Sequence, residues 1–454
     1  MFTRATLREL TRLALPMVVS QGAFAVMVFT DRVFMSSLDS AHIAAALGGG
    51  VASFFCMSLF IGLISYGNAL VAQYYGAGKF ARCSKVTTQG LYLALASTPV
   101  LILAGYYGKY AFEHLGHEAV QVPLEQAYFE ILMYGAVFAL IKAALASYFS
   151  GIGRTRVVMV ADVIGTGVNI PLSWVLIFGK FGFPAMGIQG AALGTVLATL
   201  ITIAVFFTFY MRAEHRQQFS VDAAWQFERS IMRRYLRLGM PSGLETFMNV
   251  ATFNLFLLLF QSYGVIEGAA MAIVFNWDML SFIPMVGLNI AVMSLIGRFV
   301  GAGDMARANE VIAAGFMLAF AYAGTLSVIF LIFRIELVAF FDTGGADFPA
   351  ILAIGSQMMV GLVTYMLADA TILISGAVLR GAGDTRWIML TSMSLHWVML
   401  VIQYLTIVVY RLDALISWWV FVATLLILAI IYLWRLLGNT WRRPERLAKV
   451  LAES

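Results

Sequence analysis

The sequence predicts an all-α membrane protein with twelve transmembrane helices, arranged in two six-helix lobes related by a pseudo-two-fold axis along the membrane normal. Three observations carry this. Hydrophobic residues make up 61% of the 454, only 12% are charged, and mean hydropathy is +0.87. Soluble domains hold roughly 45–50% apolar residues, so a water-soluble fold is excluded. The apolar residues gather into stretches of the ~20 that a bilayer span needs. Finally, blocks of the first half recur in the second at a nearly constant spacing.

Hydropathy places the spans at about 12–36, 45–75, 87–108, 125–149, 157–179, 187–211, 238–262, 267–297, 313–333, 354–379, 387–410 and 414–437. With both ends inside, the cytoplasmic segments carry Arg4, Arg8, Arg12, Lys79, Arg82, Lys85, Arg154, Arg156, Arg298, Arg307, Arg380, Arg386 and the basic residues from Arg435 on. The outer loops keep only Lys109, Lys180, Arg334 and Arg411, so the positive-inside rule sets both termini in the cytoplasm. The first span is too long for a signal-peptide core and is expected to be retained. A multi-pass protein of the cell inner membrane follows.

The longest polar stretch, 212–237, contains Arg212, Arg216, Arg229, Arg233, Arg234 and Arg237 and cuts the chain almost in half. It is expected to be a cytoplasmic linker between a lobe at 1–211 and a lobe at 238–440, with a tail at 441–454.

The repeat supports that division. V-A-Q-Y-Y-G-A-G-K-F-A-R at 71–82 matches I-G-R-F-V-G-A-G-D-M-A-R at 296–307 at an offset of 225, which also brings Leu13 and Pro16 onto Leu238 and Pro241. S-G-I-G-R-T-R at 150–156 matches R-G-A-G-D-T-R at 380–386 at an offset of 230. Each half starts inside, so the two share one orientation. The plainest reading of Gly76, Gly78, Gly301 and Gly303 is as left-handed helix caps, with Arg82 and Arg307 at the headgroups.

Ionisable residues within spans are functional candidates by default, because burying them costs several kcal/mol unless they are paired or used. They are Asp31, Arg32, Lys142, Asp162, Glu245, Asp278 and Asp369, with His396 as a lone imidazole. At ~1.5 Å per residue, Asp369 lies roughly 16 Å from Arg380, Glu245 about 12 Å and Asn249 about 18 Å from Arg237, and Asp278 about 16 Å from Glu267. Three helices thus offer oxygen ligands at similar depth. Ser242, Glu245, Asn249 and Thr252 share one face of the seventh span, and Asp278, Ser281, Met285 and Asn289 one face of the eighth. Glu245, Asn249, Asp278 and Asp369 are therefore expected to form one cation-coupling or cargo-binding site in the second lobe. Oxygen ligands suit a hard cation or a shared proton; the bland alternative is a polar helix interface.

In the first lobe, Asp162, Thr166, Asn169 and Ser173 lie on one face of the fifth span. With Asp31 they make a second candidate site, for a proton or for cargo, although Asp31 at ~28 Å from Arg12 sits close to the outer interface. Lys142 can pair with Asp162 or Asp31, or snorkel. His396 is expected to be satisfied by Ser392 or Ser394.

Other functions lack their motifs. The G-K pairs at Gly78, Gly108 and Gly179 are followed by Phe80, Tyr110 and Phe181, so the phosphate-binding G-x-x-x-x-G-K-[ST] of an ATP-driven pump is missing. Neither G-x-S-x-G nor H-E-x-x-H occurs, so no enzyme is expected. Cys56 and Cys83 offer no metal-ligand spacing. No cofactor, structural metal or nucleic-acid partner is expected, and a monomer in the lipid bilayer is.

Several segments together resemble the multidrug and toxic compound extrusion family: F-T-D-R-V-F-M with Pro16 and Asp31, V-A-Q-Y-Y-G-A-G, N-I-P-L-S-W-V-L-I-F-G-K-F-G-F-P-A-M-G-I-Q-G-A-A at 169–192, L-G-M-P-S-G-L-E at 238–245, and A-D-A-T-I-L-I-S-G-A-V-L-R-G-A-G-D-T-R at 368–386. The resemblance covers essentially the whole chain. It implies a secondary antiporter that exports amphipathic, often cationic compounds in exchange for sodium ions or protons by alternating access, with a helix bend at Pro16. It also implies a coupling role for Asp31 and Asp369, with sodium held at Glu245 and Asp369. The chain departs from the sodium-coupled branch by aligning Asn249 with that branch's seventh-span Glu, with Glu245 one turn earlier, and the choice of ion stays open. A flippase for lipid-linked precursors is the alternative; its anionic cargo would favour intramembrane bases, and here only Lys142 and Arg32 stand against five acids.

Overall fold

The computed structural model describes residues 2–114, 117–342 and 344–452, and among them no strand occurs. The first half comprises α1 (Arg4–Ser36), α2 (Ser40–Ser65), α3 (Gly67–Gly76), α4 (Phe80–Gly108), α5 (Gln121–Tyr134), α6 (Ala136–Gly151), α7 (Thr155–Phe178) and α8 (Ile188–Tyr210). The short α9 (Ala213–Phe219) leads to α10 (Arg229–Gln261), α11 (Val265–Ala302), α12 (Met305–Ile332), α13 (Arg334–Ala339), α14 (Phe348–Gly381), α15 (Thr385–Tyr404), α16 (Ala414–Leu437) and α17 (Pro444–Leu451). Eleven helical stretches are long and apolar enough to cross a membrane, and the bent pair α5–α6 makes a twelfth.

The departures from the expected boundaries have local causes. Helix α1 begins at Arg4 because the Thr3 hydroxyl caps it, accepting from the Thr6 amide. Helix α10 begins at Arg229, so the arginines up to Arg237 are its first turns, and only part of 212–237 connects the halves. The 47° bend between α5 and α6 falls at Gly135, where a β-carbon would sit 2.4 Å from Val196 of α8. Pro16 and its counterpart Pro241 are both buried inside helices that continue past them. Each proline removes one backbone hydrogen bond without ending its helix.

Both termini and α9 lie at one end of the bundle, here called the linker end. The largest apolar core sits there and draws on both halves, joining Leu10, Tyr66, Leu70 and Tyr148 to Ile231, Tyr235, Ile296 and Leu379. The G-x-G pairs explain how the halves approach so closely. Gly78 and Gly303 are the left-handed caps, with φ of 72° and 74°. Gly76 and Gly301 are not caps: they are helical, and a β-carbon would lie 1.8 Å from the Arg298 carbonyl oxygen and 2.0 Å from that of Gln73, respectively. One glycine of each pair turns the chain and the other admits the opposite lobe's backbone.

Hydrogen bonds close the same face from both sides. Gln73 donates through Nε2 to the Gly381 carbonyl at 2.7 Å, and Ser294 through Oγ to the Ser150 carbonyl at 2.7 Å. In each case a side chain of one lobe bonds a carbonyl at a helix end of the other. Tyr235 adds a bond to the Ile64 carbonyl at 2.5 Å. The lobes are thus sealed together at the linker end.

Candidate functional site

Helix α1 carries Asp31, which is 9% exposed and so lies inside the bundle rather than at an interface. Its Oδ2 accepts from the Thr195 hydroxyl of α8 at 3.5 Å, and its Oδ1 has no partner. On α7, Asn169 and Ser173 are fully buried, and the Asn169 amide has no hydrogen-bond partner. The Ser173 side chain adjoins Asp31. Each unmet polar group in such surroundings costs about 1–3 kcal/mol, a demand that a small polar or charged ligand would meet.

Asp162, two turns toward the linker end on the same face, has its own partners. The Ser20 hydroxyl of α1 donates to Oδ2, and the Lys142 ammonium of α6 stands 2.9 Å from Oδ1. Of the alternatives open for Lys142, the structure selects the pair with Asp162. Thr166 is bound to the Ala23 carbonyl at 3.2 Å. Asp31 therefore keeps company with Ser173 and Thr195, and Asp162 with Ser20 and Lys142.

In the second lobe Asp278 of α11 and Asp369 of α14 line one cavity of about 20 Å3 with Ser281, Met285, Tyr322 and Met366. That is room for one water or one bare ion. Two carboxylates in such a space repel unless a proton or cation neutralises one. The buried Tyr365 hydroxyl adjoins Asp278 and is placed to donate to its carboxylate. Sequence reading missed Tyr365, although it lies one helical turn before Asp369.

Glu245 has a different partner from the one expected. Its Oε1 accepts from Arg380 Nη2 at 2.7 Å, and the carboxylate is 4% exposed. Arg380 stands at the end of α14, but a helical side chain leans toward its own N-terminus. The guanidinium accordingly folds back over Gly376, where a β-carbon would lie 3.0 Å from Nη1. Asn249 Oδ1 accepts from the Ser392 hydroxyl at 3.0 Å, and His396 Nδ1 bonds the Ser392 carbonyl at 2.7 Å. Of the four residues expected to share one site, Asp278 and Asp369 come together, while Glu245 and Asn249 join a separate ion-paired cluster with Arg380, Ser392 and His396. Asn289, on the polar face of α11, is occupied by the Leu373 carbonyl at 2.7 Å.

Comparisons with known proteins agree with this architecture. The MatE family model matches residues 16–175 and 241–405, once in each half. The chain is 25% identical to "Multidrug resistance protein MdtK" of Yersinia pseudotuberculosis over 405 residues, covering 86% of this chain and 85% of that one. It is 27% identical to "Probable multidrug resistance protein NorM" of Shewanella oneidensis over 398 residues, covering 86% and 84%. Among solved structures, an outward-facing conformation of a multidrug resistance MATE family transporter superposes with a TM-score of 0.85 at 18% identity, covering 100% of both chains. The two-lobed, twelve-span fold and the family match in each half make this chain a member of the MatE family of multidrug and toxic compound extrusion transporters.

Proposed function

We propose that the protein is a secondary antiporter that exports amphipathic, cationic organic compounds in exchange for sodium ions or protons by alternating access. One observation carries this reading above the others: each lobe holds carboxylates inside the bundle that no Lys or Arg among the described residues neutralises, Asp31 beside Ser173 and Thr195, and Asp369 with Asp278 on one small cavity. Such sites lower the cost of a small cation or proton inside a bilayer and discharge it when the surroundings change. Their negative sign suits cationic cargo. The names of the curated relatives point to multidrug resistance.

In this reading the linker end is cytoplasmic, as the basic residues there favour, with lobes at 1–211 and 238–440, the connection within 212–237 and the tail at 441–454. The seal through Gly76 and Gly301 then closes the cytoplasmic side, and the conformation is outward-facing. Asp31 and Asp369 carry the coupling. Glu245, already neutralised by Arg380, holds α10 to α14 instead of binding a transported ion. The protein works as a monomer in the inner membrane.

Proteoliposomes test the proposal. With ethidium as cargo, sodium and proton gradients are imposed separately, and uptake is followed by fluorescence. Accumulation under one gradient and none in its absence is the expected result. Equal accumulation with and without every gradient would overturn it.

A further inference from the structure

The first lobe holds a second intramembrane carboxylate, Asp162, that the reading above does not use. We propose that Asp162 is a second ammonium-binding site of the first lobe, occupied in this conformation by a tethered cation, the side chain of Lys142, which an organic ammonium replaces. The inference rests on the reading of the cargo as cationic and names its class more closely: an alkyl or quaternary ammonium on an apolar body.

The site shows its chemistry through its occupant. An ammonium on an apolar stem lies 2.9 Å from Asp162 Oδ1, while Ser20 donates to the other oxygen. That ammonium arrives from within the bundle. Lys142 lies on one stripe of α6 with Phe138, Leu145 and Phe149; Leu145 and Phe149 are fully buried, and Phe138 packs against the same core. Its side chain is nonetheless 29% exposed, so the surrounding helices do not close over it.

The contact is also built to exchange. Asp162 Oδ1 meets a single compact charge, the Lys142 ammonium 2.9 Å away. The other buried ion pairs differ. Arg380 meets Glu245 through a hydrogen bond with its guanidinium laid over Gly376, and Asp384, 1% exposed, is held by both Arg435 and Arg446. A planar guanidinium locks its partner, whereas an ammonium on a four-carbon stem swings away readily. Replacing it with another monovalent cation keeps Asp162 neutralised, and the displaced ammonium swings on its four-carbon stem into the opening that leaves it 29% exposed. The route is polar as well: Asp162 lies on the α7 face that carries Asn169 and Ser173, and the buried Asn169 amide has no partner.

The test replaces the tethered cation with a reporter. Lys142→Cys, with Cys56→Ser and Cys83→Ser, is labelled in lipid nanodiscs by a trimethylammonium methanethiosulfonate and by an uncharged analogue of similar size. Both rates are scaled to a free thiol. One unit charge at about 4 Å in a water-accessible site favours the cationic reagent by about fivefold or more. That preference is expected with Asp162 present and should fall to about one in Lys142→Cys/Asp162→Asn. No preference in the first variant, one that persists in the second, or no labelling by either reagent would overturn the proposal. If Lys142→Cys does not fold, Ser20→Cys reports on the same carboxylate from its other side. Labelling requires no transport, so it can fail while ethidium export stands, and it can succeed if wild-type protein exports no ethidium.

Discussion

Adding one methyl group at Gly301 or Gly76 should unseal the linker end. A β-carbon at Gly76 would lie 1.8 Å from the Arg298 carbonyl oxygen, and one at Gly301 would lie 2.0 Å from that of Gln73. Both obstacles are backbone atoms, which cannot rotate aside as a side chain can. Bringing the Gly76 contact out to 3.4 Å requires the lobes to part there by about 1.6 Å. Overpacking of this kind typically costs ~1–3 kcal/mol, about five- to 150-fold in the balance between sealed and open states. The assay is maleimide labelling of Ser294→Cys, a position 2% exposed within the seal, in the Cys56→Ser/Cys83→Ser background in nanodiscs. Gly301→Ala and Gly76→Ala should each raise the labelling rate about tenfold. Gly303→Ala should not, because open space surrounds its β-carbon position and its penalty is only the strain of a left-handed backbone. Labelling as slow in Gly301→Ala as in the parent would refute the seal.

Three further outcomes follow from single contacts. Glu245→Gln leaves the Arg380 guanidinium without its counter-charge and should cost about 3 kcal/mol of stability, most of it recovered in Glu245→Gln/Arg380→Met; thermal melts that simply add would contradict the pairing. His215 of α9 is held down to about 4 by burial and then by the adjacent Arg154, and since Arg154 only donates, His215 Nδ1 accepts and Nε2–H donates to the Tyr148 hydroxyl. The unfolded chain takes up this proton below about 6.5 while the folded chain refuses it down to about 4, so stability should fall as pH drops through that window. His215→Phe should flatten the slope of melting temperature against pH, and an unchanged slope would assign it to another group. Asp384→Asn weakens the hold of Arg435 and Arg446 and should speed amide exchange in α17, measured by mass spectrometry; exchange as slow as in wild type would detach α17 from that contact.

The spans and the internal repeat were legible in the sequence because lipid allows only long apolar stretches with satisfied backbones. Polar faces were legible too: the i, i+7 spacing of Asp162 and Asn169 does put both on the interior side of α7. What rise per residue measures, however, is height along the bundle and not direction around it. Glu245 and Asp369 were placed at similar heights, yet Glu245 turns to Arg380 and Asp369 to Asp278. Arg380 counts among the cytoplasmic residues by its position at a helix end, and only the lean of its side chain over Gly376 carries the charge inward. The doubled glycines carried two roles that their spelling does not separate, since both a cap and a close approach require a missing side chain. The Gly135 bend depends on Val196, some sixty residues away, and no local signal marks it.

The most direct measurement compares gradient-driven ethidium efflux from proteoliposomes holding wild-type protein, Asp31→Asn or Asp369→Asn, each first shown to be folded and to label at Ser294→Cys like the parent. An amide fills the same space as the carboxylate but neither carries a proton nor neutralises a cation. Both variants should lose gradient-driven efflux, by about a hundredfold if each forfeits ~3 kcal/mol of coupling. Wild-type efflux in both would contradict the assignment of coupling to the buried carboxylates of the two lobes.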